Sequence, residues 1–478
     1  MNRKILMVNP NLMKPPVAPL GLDYLHSKLQ HAGFEVSLLD LGFSHEVDKG
    51  IEHALDDDYL FIGISLRNVD DSYFTSRDFC LQKSREIINK IRDFSKCPIV
   101  LGGVGFSIFP VQVMQYCNAD FGIYGDGELA LPMLATALRQ KTDYASIPGL
   151  SYKDGDNYKS NPAKYLDLDK TSLCQRDLVD NALYFQKGAM VGFESKRGCD
   201  RRCIYCADPV AKGRNIRLRD PRDVSVELKG LLEQGITHFH TADSEFNVPE
   251  EHAKAVCQAI IDQCLGDKIQ WYAYCVPVPF SEELANLMRK AGCVGIDFTV
   301  DSGNNGQLQR LGHVHRVDDI GKLARLCHRY AFSFMFDLLL GGPGETRQTV
   351  NETFELMKSL EPSRVGISLG VRLYPDTPLG IAVKKQGVTR NPHLHGAIDN
   401  NSKMLRPIFY LSHELGDDIE PYILDLTEGD SRFFFVSKGQ TIQSYNYNDN
   451  SQLMEAIKKG YRGAFWDILR RLAENPSP

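Results

Sequence analysis

The chain has 478 residues, 43% of them hydrophobic and 24% charged, with a formal net charge of -6. This length predicts two to four domains with large cores, and the acidic balance without a run of basic residues argues against a nucleic-acid substrate. The N-terminal apolar run, residues 5–8, is too short for a signal peptide, and no stretch approaches the roughly 18 apolar residues of a spanning helix. We therefore expect a cytoplasmic protein without a membrane partner.

The first region, residues 1–140, alternates short apolar strands with helical segments. "KILMVNP" predicts a buried strand, and "GLDYLHSKLQHAG" predicts a helix that ends at Gly33. Four further strands are predicted in "EVSLLDL", "YLFIGISL", "CPIVLGG" and "DFGIYG", with a helix in "SREIINKIRDF". The alternation predicts a doubly wound, Rossmann-like parallel sheet, in which ligands bind beyond the carboxyl ends of the strands.

Three further regions follow. Residues 141–185 are polar and are interpreted as a connector that could include a small hairpin. Residues 186–385 contain about six βα units, which predict a partial or full β/α-barrel whose chemistry gathers at the strand carboxyl ends. Residues 386–478 form an α+β region, with paired strands expected in "SRFFFVSKGQTIQSYNY" and one amphipathic helix in "LMEAIKKGYRGAFWDILRRLA".

Three of the twelve cysteines are clustered directly after a predicted strand, as Cys199, Cys203 and Cys206. A structural zinc site normally has four ligands, and no fourth Cys or His pair follows nearby. Three thiolates can instead hold three irons of a [4Fe-4S] cluster and leave the fourth iron open, whereas an electron carrier usually has four cysteines. The spacing therefore predicts a cluster that binds a further molecule, with three unligated thiols as the alternative. The scattered cysteines show no second cluster motif.

The spacing C-x3-C-x2-C, with Tyr205 before the third Cys, resembles the radical S-adenosylmethionine (SAM) superfamily. The resemblance implies that the fourth iron binds the amino and carboxylate groups of SAM, which one electron cleaves to a 5'-deoxyadenosyl radical. Further motifs that match the superfamily are "HTADSEFN", "FTVDSGN" and "LLLGGPGET". They imply SAM contacts at Tyr205, Asp243, Ser244, Glu245, Asp301, Ser302 and Gly341. Such an enzyme also needs an electron donor of the flavodoxin or ferredoxin type.

The N-terminal region has no G-x-G-x-x-G phosphate loop after its first strand. Its glycine-dense turns would offer a flat surface to a broad planar ligand, although tight βα turns explain the same glycines. The order of "PLGLDYL", "VLGG" and "ADFGIYGDGE" resembles the cobalamin-binding domain of B12-dependent radical SAM enzymes. The resemblance covers about residues 1–385 and implies cobalamin contacts at Ser65, Leu66, Gly102, Gly103, Gly105, Phe106, Gly125, Gly127 and Glu128.

One departure from that resemblance concerns the lower face of the cobalt. The motif D-x-H-x-x-G, whose His ligates cobalt in many B12 domains, is absent from the sequence. Arg67 ends the third predicted strand, where its cation could face the lower side of the cobalt, disfavour a ligand there and so assist methyl transfer. The alternative is a surface arginine that pairs with Asp70 or Asp71.

The resemblance implies a cobalamin-dependent radical SAM C-methyltransferase that moves a methyl group from SAM through methylcobalamin to a substrate carbon. Tryptophan-methylating members, which need no substrate radical, are a variant of this prediction. The alternatives are a rearrangement, cyclisation or oxidation by the same cofactors, a radical SAM enzyme with a cobalamin-free first domain, and a non-catalytic cobalamin or redox sensor. The substrate is a small molecule or a peptide, and the aromatic tail residues Phe433 to Phe435, Tyr445 and Trp466 could close the site or simply form a core.

Overall fold

The computed structural model describes residues 3–44, 46–55, 58–170, 175–388, 391–435, 444 and 446–474. The N-terminal sheet consists of β1 (Lys4–Asn9), β2 (Glu35–Asp40), β3 (Ile62–Ser65), β4 (Ile99–Gly102), β5 (Phe121–Ile123), β6 (Leu150–Asp154) and β7 (Asn157–Ser160). Its helices are α1 (Leu20–His31), α2 (Val47–Ala54), α3 (Cys80–Phe94), α4 (Val104–Ile108), α5 (Pro110–Cys117) and α6 (Gly127–Gln140). The strand order is β2-β1-β3-β4-β5-β6-β7.

The first five strands of this sheet are parallel, and both of its faces are covered by helices. Ile64 lies in the core on one face, and Val100 lies in the core on the other. This arrangement confirms the doubly wound fold. The hairpin β6–β7 comes from the predicted connector and extends the sheet in antiparallel register.

The second region begins with α7 (Asn181–Gln186), β8 (Val191–Phe193), β9 (Lys196–Arg197), α8 (Asp208–Lys212), β10 (Arg217–Leu218), α9 (Pro221–Glu233), β11 (His238–Thr241), α10 (Glu250–Asp262) and β12 (Gln270–Cys275). It continues with α11 (Glu282–Lys290), β13 (Cys293–Asp301), α12 (Asn305–Leu311), α13 (Val317–Arg329), β14 (Ser333–Leu340), α14 (Arg347–Leu360), β15 (Arg364–Leu369) and β16 (Val371–Arg372). The remaining elements are α15 (Pro378–Gln386), β17 (Leu394–Gly396), β18 (Ile408–Tyr410), α16 (Ile419–Thr427), β19 (Phe433–Phe435), α17 (Ser451–Lys458) and α18 (Phe465–Glu474).

The strands of the second large sheet follow one another in the order β8-β11-β12-β13-β14-β15-β19, all parallel. Sequential parallel order with helices outside is the pattern of a β/α-barrel, and among the described residues β8 and β19 remain its two edges. The predicted partial barrel is therefore confirmed. Apolar side chains such as Phe298 and Phe336, both 0% exposed, fill the layer between the strands and the helices.

Two predictions for the tail region differ from the structure. The segment Phe433–Phe435 joins the barrel as a parallel neighbour of β15. The predicted domain boundary at residue 385 therefore leaves the last strand of the barrel outside the predicted barrel domain. The single helix expected after it is two helices, α17 and α18, because Gly460 and Gly463 between them have φ of 97° and 123°. Backbone in that region cannot continue an α-helix. Residues 436–443, Tyr445 and Cys174 lie outside the described residues.

No helix among the described residues is long and apolar enough to cross a membrane. The small sheet β16-β18-β17 adjoins the end of β14, where the Ser412 amide donates to the Gly341 carbonyl oxygen at 2.9 Å. It is tied to the N-terminal domain by Arg372, whose Nε and Nη2 donate to Asp70 Oδ2 at 2.9 and 2.7 Å. Both side chains are buried, so this ion pair fixes the domains to each other.

Candidate active site

The three clustered cysteines lie on a loop whose base is closed by the antiparallel pair β9–β10. Gly198 has φ of 90°, and a Cβ there would lie 2.2 Å from the Asn215 carbonyl oxygen, so the turn before Cys199 needs glycine. The Cys199 amide donates to Gly213 O at 3.1 Å. These contacts position the loop at the carboxyl end of the barrel, beyond β8.

The chemistry of the donor set fits an iron–sulfur cluster. Within the described residues, no three His, Cys, Asp or Glu side chains are grouped so that they could hold a metal ion. The cysteine side chains that hold a [4Fe-4S] cluster need not converge on one ion, because each of them binds a different iron. Burial raises the pKa of Cys199 to about 11, so its thiol holds a proton at neutral pH until iron displaces it.

The cluster loop is supported by a hydrogen-bonded chain from β13. Tyr205 donates its hydroxyl proton to the carboxylate of Asp301, and His313 Nε2 lies 2.6 Å from Asp301 Oδ2. On the other side of the ring, His313 Nδ1 lies 3.9 Å from Cys203 Sγ. Burial alone would lower the pKa of His313, but Asp301 and Cys203 outweigh it and raise the pKa to about 10. Sequence reasoning missed His313, although "LGHVHR" places two histidines directly after the helix that follows β13.

Glu245 is the predicted SAM contact whose surroundings fit SAM most closely. Its Oε2 is buried without a hydrogen-bond partner in the described residues, and its Oε1 accepts from Thr299 Oγ1 at 3.4 Å. Burial raises the pKa of Glu245 to about 8, against the opposing effects of Lys196 and Arg201. An orphaned carboxylate oxygen of this kind is stabilised by a cation, and the amino group of SAM is one.

The other predicted contacts at the strand ends have partners within the chain. Asp243 accepts from the Ser195 amide at 2.9 Å, from the Ser195 hydroxyl and from the Lys196 amide at 3.1 Å. Ser244 Oγ donates to Asp208 Oδ2 at 2.5 Å. Through these hydrogen bonds, Asp243 and Ser244 position the cluster loop. Their contact with SAM stays a prediction.

Ser302 and Gly341 lie at the ends of the next two barrel strands. Ser302 Oγ accepts from the Asn304 amide at 3.1 Å and lies 3.3 Å from Thr353 Oγ1. Gly341 has φ of 95°, and its amide donates to Glu345 Oε2. Direct contact of Ser302 and Gly341 with SAM likewise stays a prediction.

Two buried polar groups beside Gly341 were not predicted. Glu345 Oε1 and both amide atoms of Gln307 have no hydrogen-bond partner among the described residues. A Cβ on Gly342 would lie 2.7 Å from Gln307 Nε2, which places the amide against this turn. Unpaired donors and acceptors at the end of β14 fit a polar ligand. Neither residue could be singled out from the sequence, because an isolated Gln or Glu belongs to no recognisable motif.

A cavity of about 580 Å³ lies between the carboxyl ends of the two large sheets. Six of the nine predicted cobalamin contacts line it: Ser65, Gly102, Gly103, Gly125, Gly127 and Glu128. The other three, Leu66, Gly105 and Phe106, are buried behind the turns. A Cβ on Gly103 would lie 2.5 Å from the Leu66 carbonyl oxygen, and its φ is 96°, so this turn keeps the cavity wall free of side chains. The surface fits a planar cofactor.

Arg67 lines the same cavity. Its side chain is exposed on the side of the cavity and is surrounded by protein on its other sides. Desolvation there lowers the pKa of its guanidinium, and Tyr274 opposes this effect. The side-chain amide of Asn68 is oriented with its oxygen toward Arg67, and Arg67 Nη1 donates to that oxygen at 3.1 Å. Asp70 pairs with Arg372 and Asp71 accepts from Tyr73 and Ser76. The ion pair of Arg67 with either aspartate is therefore not formed.

The barrel side of the cavity is aromatic. His240 Nδ1 lies 2.7 Å from the Thr241 carbonyl oxygen, and the His240 and Tyr274 rings lie 4.7 Å apart between centroids. Phe465 and Trp466 from the tail also line the cavity. The tail therefore contributes to the site as well as to the core.

Two family models match the chain, the Radical SAM superfamily over residues 193–357 and the B12 binding domain over residues 13–135. The chain is similar to tryptophan 2-C-methyltransferase of Streptomyces laurentii, at 27% identity over 97% of this chain and 95% of that protein. It is also similar to the solved structure of TsrM, a radical SAM methyltransferase of Kitasatospora setae, in complex with tryptophan and a SAM analogue. That likeness has 30% identity and a TM-score of 0.92, over 99% of this chain and 98% of the other. A second structure of TsrM holds cobalamin and a [4Fe-4S] cluster.

Proposed function

The chain belongs to the cobalamin-binding radical SAM methyltransferases, and we propose that within this family it methylates an aromatic carbon of tryptophan or a closely related aromatic amine. The relative from Streptomyces laurentii is named for methylation of tryptophan at carbon 2. Similarity over the full length of both chains supports the same class of substrate here.

One observation supports the proposal above the others: a single cavity is lined by both domains. Ser65, Gly102 and Gly103 come from the N-terminal sheet, and His240 and Tyr274 come from the barrel. A methyl donor held on the first wall therefore faces an aromatic ring held against the second. In a binding module or sensor, the cofactor would not need a second aromatic wall opposite it.

The chain's own residues have separate tasks in this proposal. When bound, cobalamin supplies methyl transfer, and the cluster with SAM supplies one-electron chemistry. Cys199, Cys203 and Cys206 would hold the cluster, and Glu245 would receive the SAM ammonium. Arg67 would present its cation to the lower face of bound cobalamin and disfavour a ligand there.

We also propose the partners that this chemistry requires. The substrate is a small molecule rather than a nucleic acid, and an external one-electron donor of the flavodoxin or ferredoxin type keeps the cofactors reduced. Such cofactors require a reducing compartment, which makes the cytoplasm the expected location.

The test is anaerobic turnover of the enzyme reconstituted with cluster and cobalamin, using SAM labelled in its methyl group. Tryptophan, tryptamine and a tryptophan-containing peptide are the candidate substrates. Label on a ring carbon of tryptophan or tryptamine supports the proposal. Label only on the peptide, or formation of 5'-deoxyadenosine without a methylated product, would contradict it.

A further inference from the structure

His240 presents its imidazole ring to the cavity from the barrel wall. It is paired in register with Gly192 on β8 and with Tyr272 on β12. Phe239, the preceding residue, is fully buried in the core between the strands and the helices. Because side chains alternate along a strand, His240 faces the barrel interior. Gly192 has no side chain that could cover the ring, and both Gly192 and His240 line the cavity.

The two ring nitrogens of His240 differ in their surroundings. Nδ1 lies 2.7 Å from the Thr241 carbonyl oxygen, which can only accept a hydrogen bond, so Nδ1 holds the ring proton. Nε2 has no hydrogen-bond partner among the described residues, and it is not one of the unpaired polar atoms that they enclose. The Nε2 lone pair is therefore open to the cavity.

Burial keeps His240 in its neutral form at neutral pH. It lowers the pKa of the ring from its usual value of about 6.5, against the opposing effects of the Thr241 carbonyl and the Asp243 charge. The titratable neighbours on β12 are phenols, Tyr272 at the paired position and Tyr274 at 4.7 Å between ring centroids. A neutral imidazole with an open lone pair is able to accept a proton, and the Thr241 carbonyl and Asp243 stabilise the imidazolium that forms.

Arginine holds the carboxylates that line the described part of the cavity. Arg197 donates to Glu128 at 2.6 Å and to Glu194 at 2.8 Å, and Arg217 donates to Asp126. Burial alone would raise the pKa of Glu128, but Arg197 outweighs it and lowers that pKa. For Glu194 the effect of burial prevails over that of Arg197, and the pKa is raised. Glu194 is therefore the rival base that an experiment must separate from His240.

The other ionisable groups of the described lining keep their protons at neutral pH. They are cations, or phenols whose pKa is raised by burial, and the residues are Arg67, Arg197, Lys212, Tyr24, Tyr274 and Tyr447. Groups in these states do not take up a further proton. His240 is thus the neutral base that the described lining presents to a ligand.

We infer that His240 is a catalytic base, whose Nε2 accepts the proton that leaves the substrate ring when a methyl group takes its place. The inference rests on the proposed function, because methylation of an aromatic carbon replaces a ring hydrogen. The ring carbon takes the methyl group as a cation from methylcobalamin, and the bond to the donor breaks with its electron pair left on the donor. The electrons of the ring C–H bond return to the ring, and its proton passes to Nε2 and then to water. Tyr274, the ring neighbour of His240, belongs to the wall against which the substrate ring would lie.

The test measures the rate constant of the first methyl transfer in the enzyme reconstituted with cluster and methylcobalamin, with SAM and tryptophan at saturation. In His240→Asn the amide nitrogen can still donate to the Thr241 carbonyl, but no base replaces Nε2. We expect the rate constant to fall at least about a hundredfold. It should fall further when the ring carbons of tryptophan carry deuterium, because loss of the ring proton then limits the rate. His238→Asn is the matched control, since His238 lies on the same strand outside the cavity lining, and it should react as the parent does.

A second variant, His240→Gln, should repeat this result with a longer side chain. Cobalamin and iron contents equal to those of the parent show that a variant is folded. A rate constant like that of the parent in either folded variant, or a slow reaction without an isotope effect in both, would overturn the inference.

Glu194→Gln separates the two bases, and its reaction should show no isotope effect of the ring deuterium. An isotope effect in Glu194→Gln and in neither His240 variant would assign the proton to Glu194 and overturn the inference. If the parent methylates no ring carbon, the proposed function is refuted and the inference falls with it. A failure of the inference alone leaves the parent active, so the two failures are distinguishable.

Discussion

Arg197 Nη2 donates to Glu128 Oε1 at 2.6 Å, which joins the strand before the cluster loop to the start of α6 in the N-terminal domain. The same guanidinium donates to Glu194 Oε2 at 2.8 Å and lies 3.3 Å from Asp126 Oδ1. All four side chains are largely buried. Arg197 is two residues from Cys199, and Glu128 lines the cavity. This network therefore fixes the position of the cluster loop relative to the predicted cobalamin surface.

Replacing the central cation of that network should destabilise the protein. Arg197→Gln removes the ion-pair partner of the buried Glu128 and Glu194, whereas Asp126 keeps its ion pair with Arg217. Removing one partner of a buried ion pair typically costs about 3 kcal/mol or more. We expect thermal unfolding of the apoprotein to begin at a clearly lower temperature. Arg329→Gln is the matched control, since Arg329 pairs with Glu282 at the exposed surface. Equal unfolding temperatures for the two variants would refute the role of the network.

SAM binding should depend on pH through Glu245. Burial raises the pKa of this carboxyl to about 8, so below that pH it must lose a proton before it can pair with the SAM ammonium. Affinity for SAM, measured by equilibrium binding, should therefore increase as the pH rises toward about 8 and then level off. In Glu245→Gln the affinity should be lower and lose this dependence, while the exposed Glu233→Gln should behave as the parent. A pH dependence that persists in Glu245→Gln would contradict the assignment.

The cation of Arg67 should exclude ligands from the lower face of bound cobalamin. In Arg67→Ala, added imidazole should reach the cobalt and change the absorbance spectrum, whereas the parent and Arg67→Lys should resist it. Arg77→Ala, on an exposed part of the same connection, is the control. If imidazole changes the spectra of the parent and Arg67→Ala alike, Arg67 does not have this role.

Cluster content should depend on the three motif cysteines only. Cys203→Ala removes one iron ligand, so the anaerobically reconstituted protein should contain much less iron and sulfide. Cys264→Ala changes an exposed thiol outside the motif and should leave both contents unchanged. Full iron content in Cys203→Ala would show that the loop does not bind the cluster.

Local patterns predicted most of the fold, because each strand and helix carries its own periodicity. Relationships between distant segments had no such signal. Phe433 pairs with Val365 across nearly seventy residues, and nothing in "RFFF" indicates that it joins a barrel rather than a hairpin. The Arg197–Glu128 ion pair likewise depends on how the two domains meet.

For the site, the cysteine spacing was informative because the chemistry of the cluster requires it. The pairing of Thr299 on β13 with Asp337 on β14 depends on strand register, which the local pattern of neither strand indicates. His313 and Gln307 reach the site from helices and loops, where spacing along the sequence says little about position in space.

The central claim is that a methyl group passes from SAM through cobalamin to an aromatic carbon. The most direct test loads the enzyme with unlabelled methylcobalamin and then supplies SAM with a trideuterated methyl group and tryptophan, without oxygen. Product from the first turnover should carry the unlabelled methyl group on a ring carbon, and later product should carry deuterium. A first product that is already deuterated, or tryptophan that stays unmethylated, would show that the methyl group does not take this route.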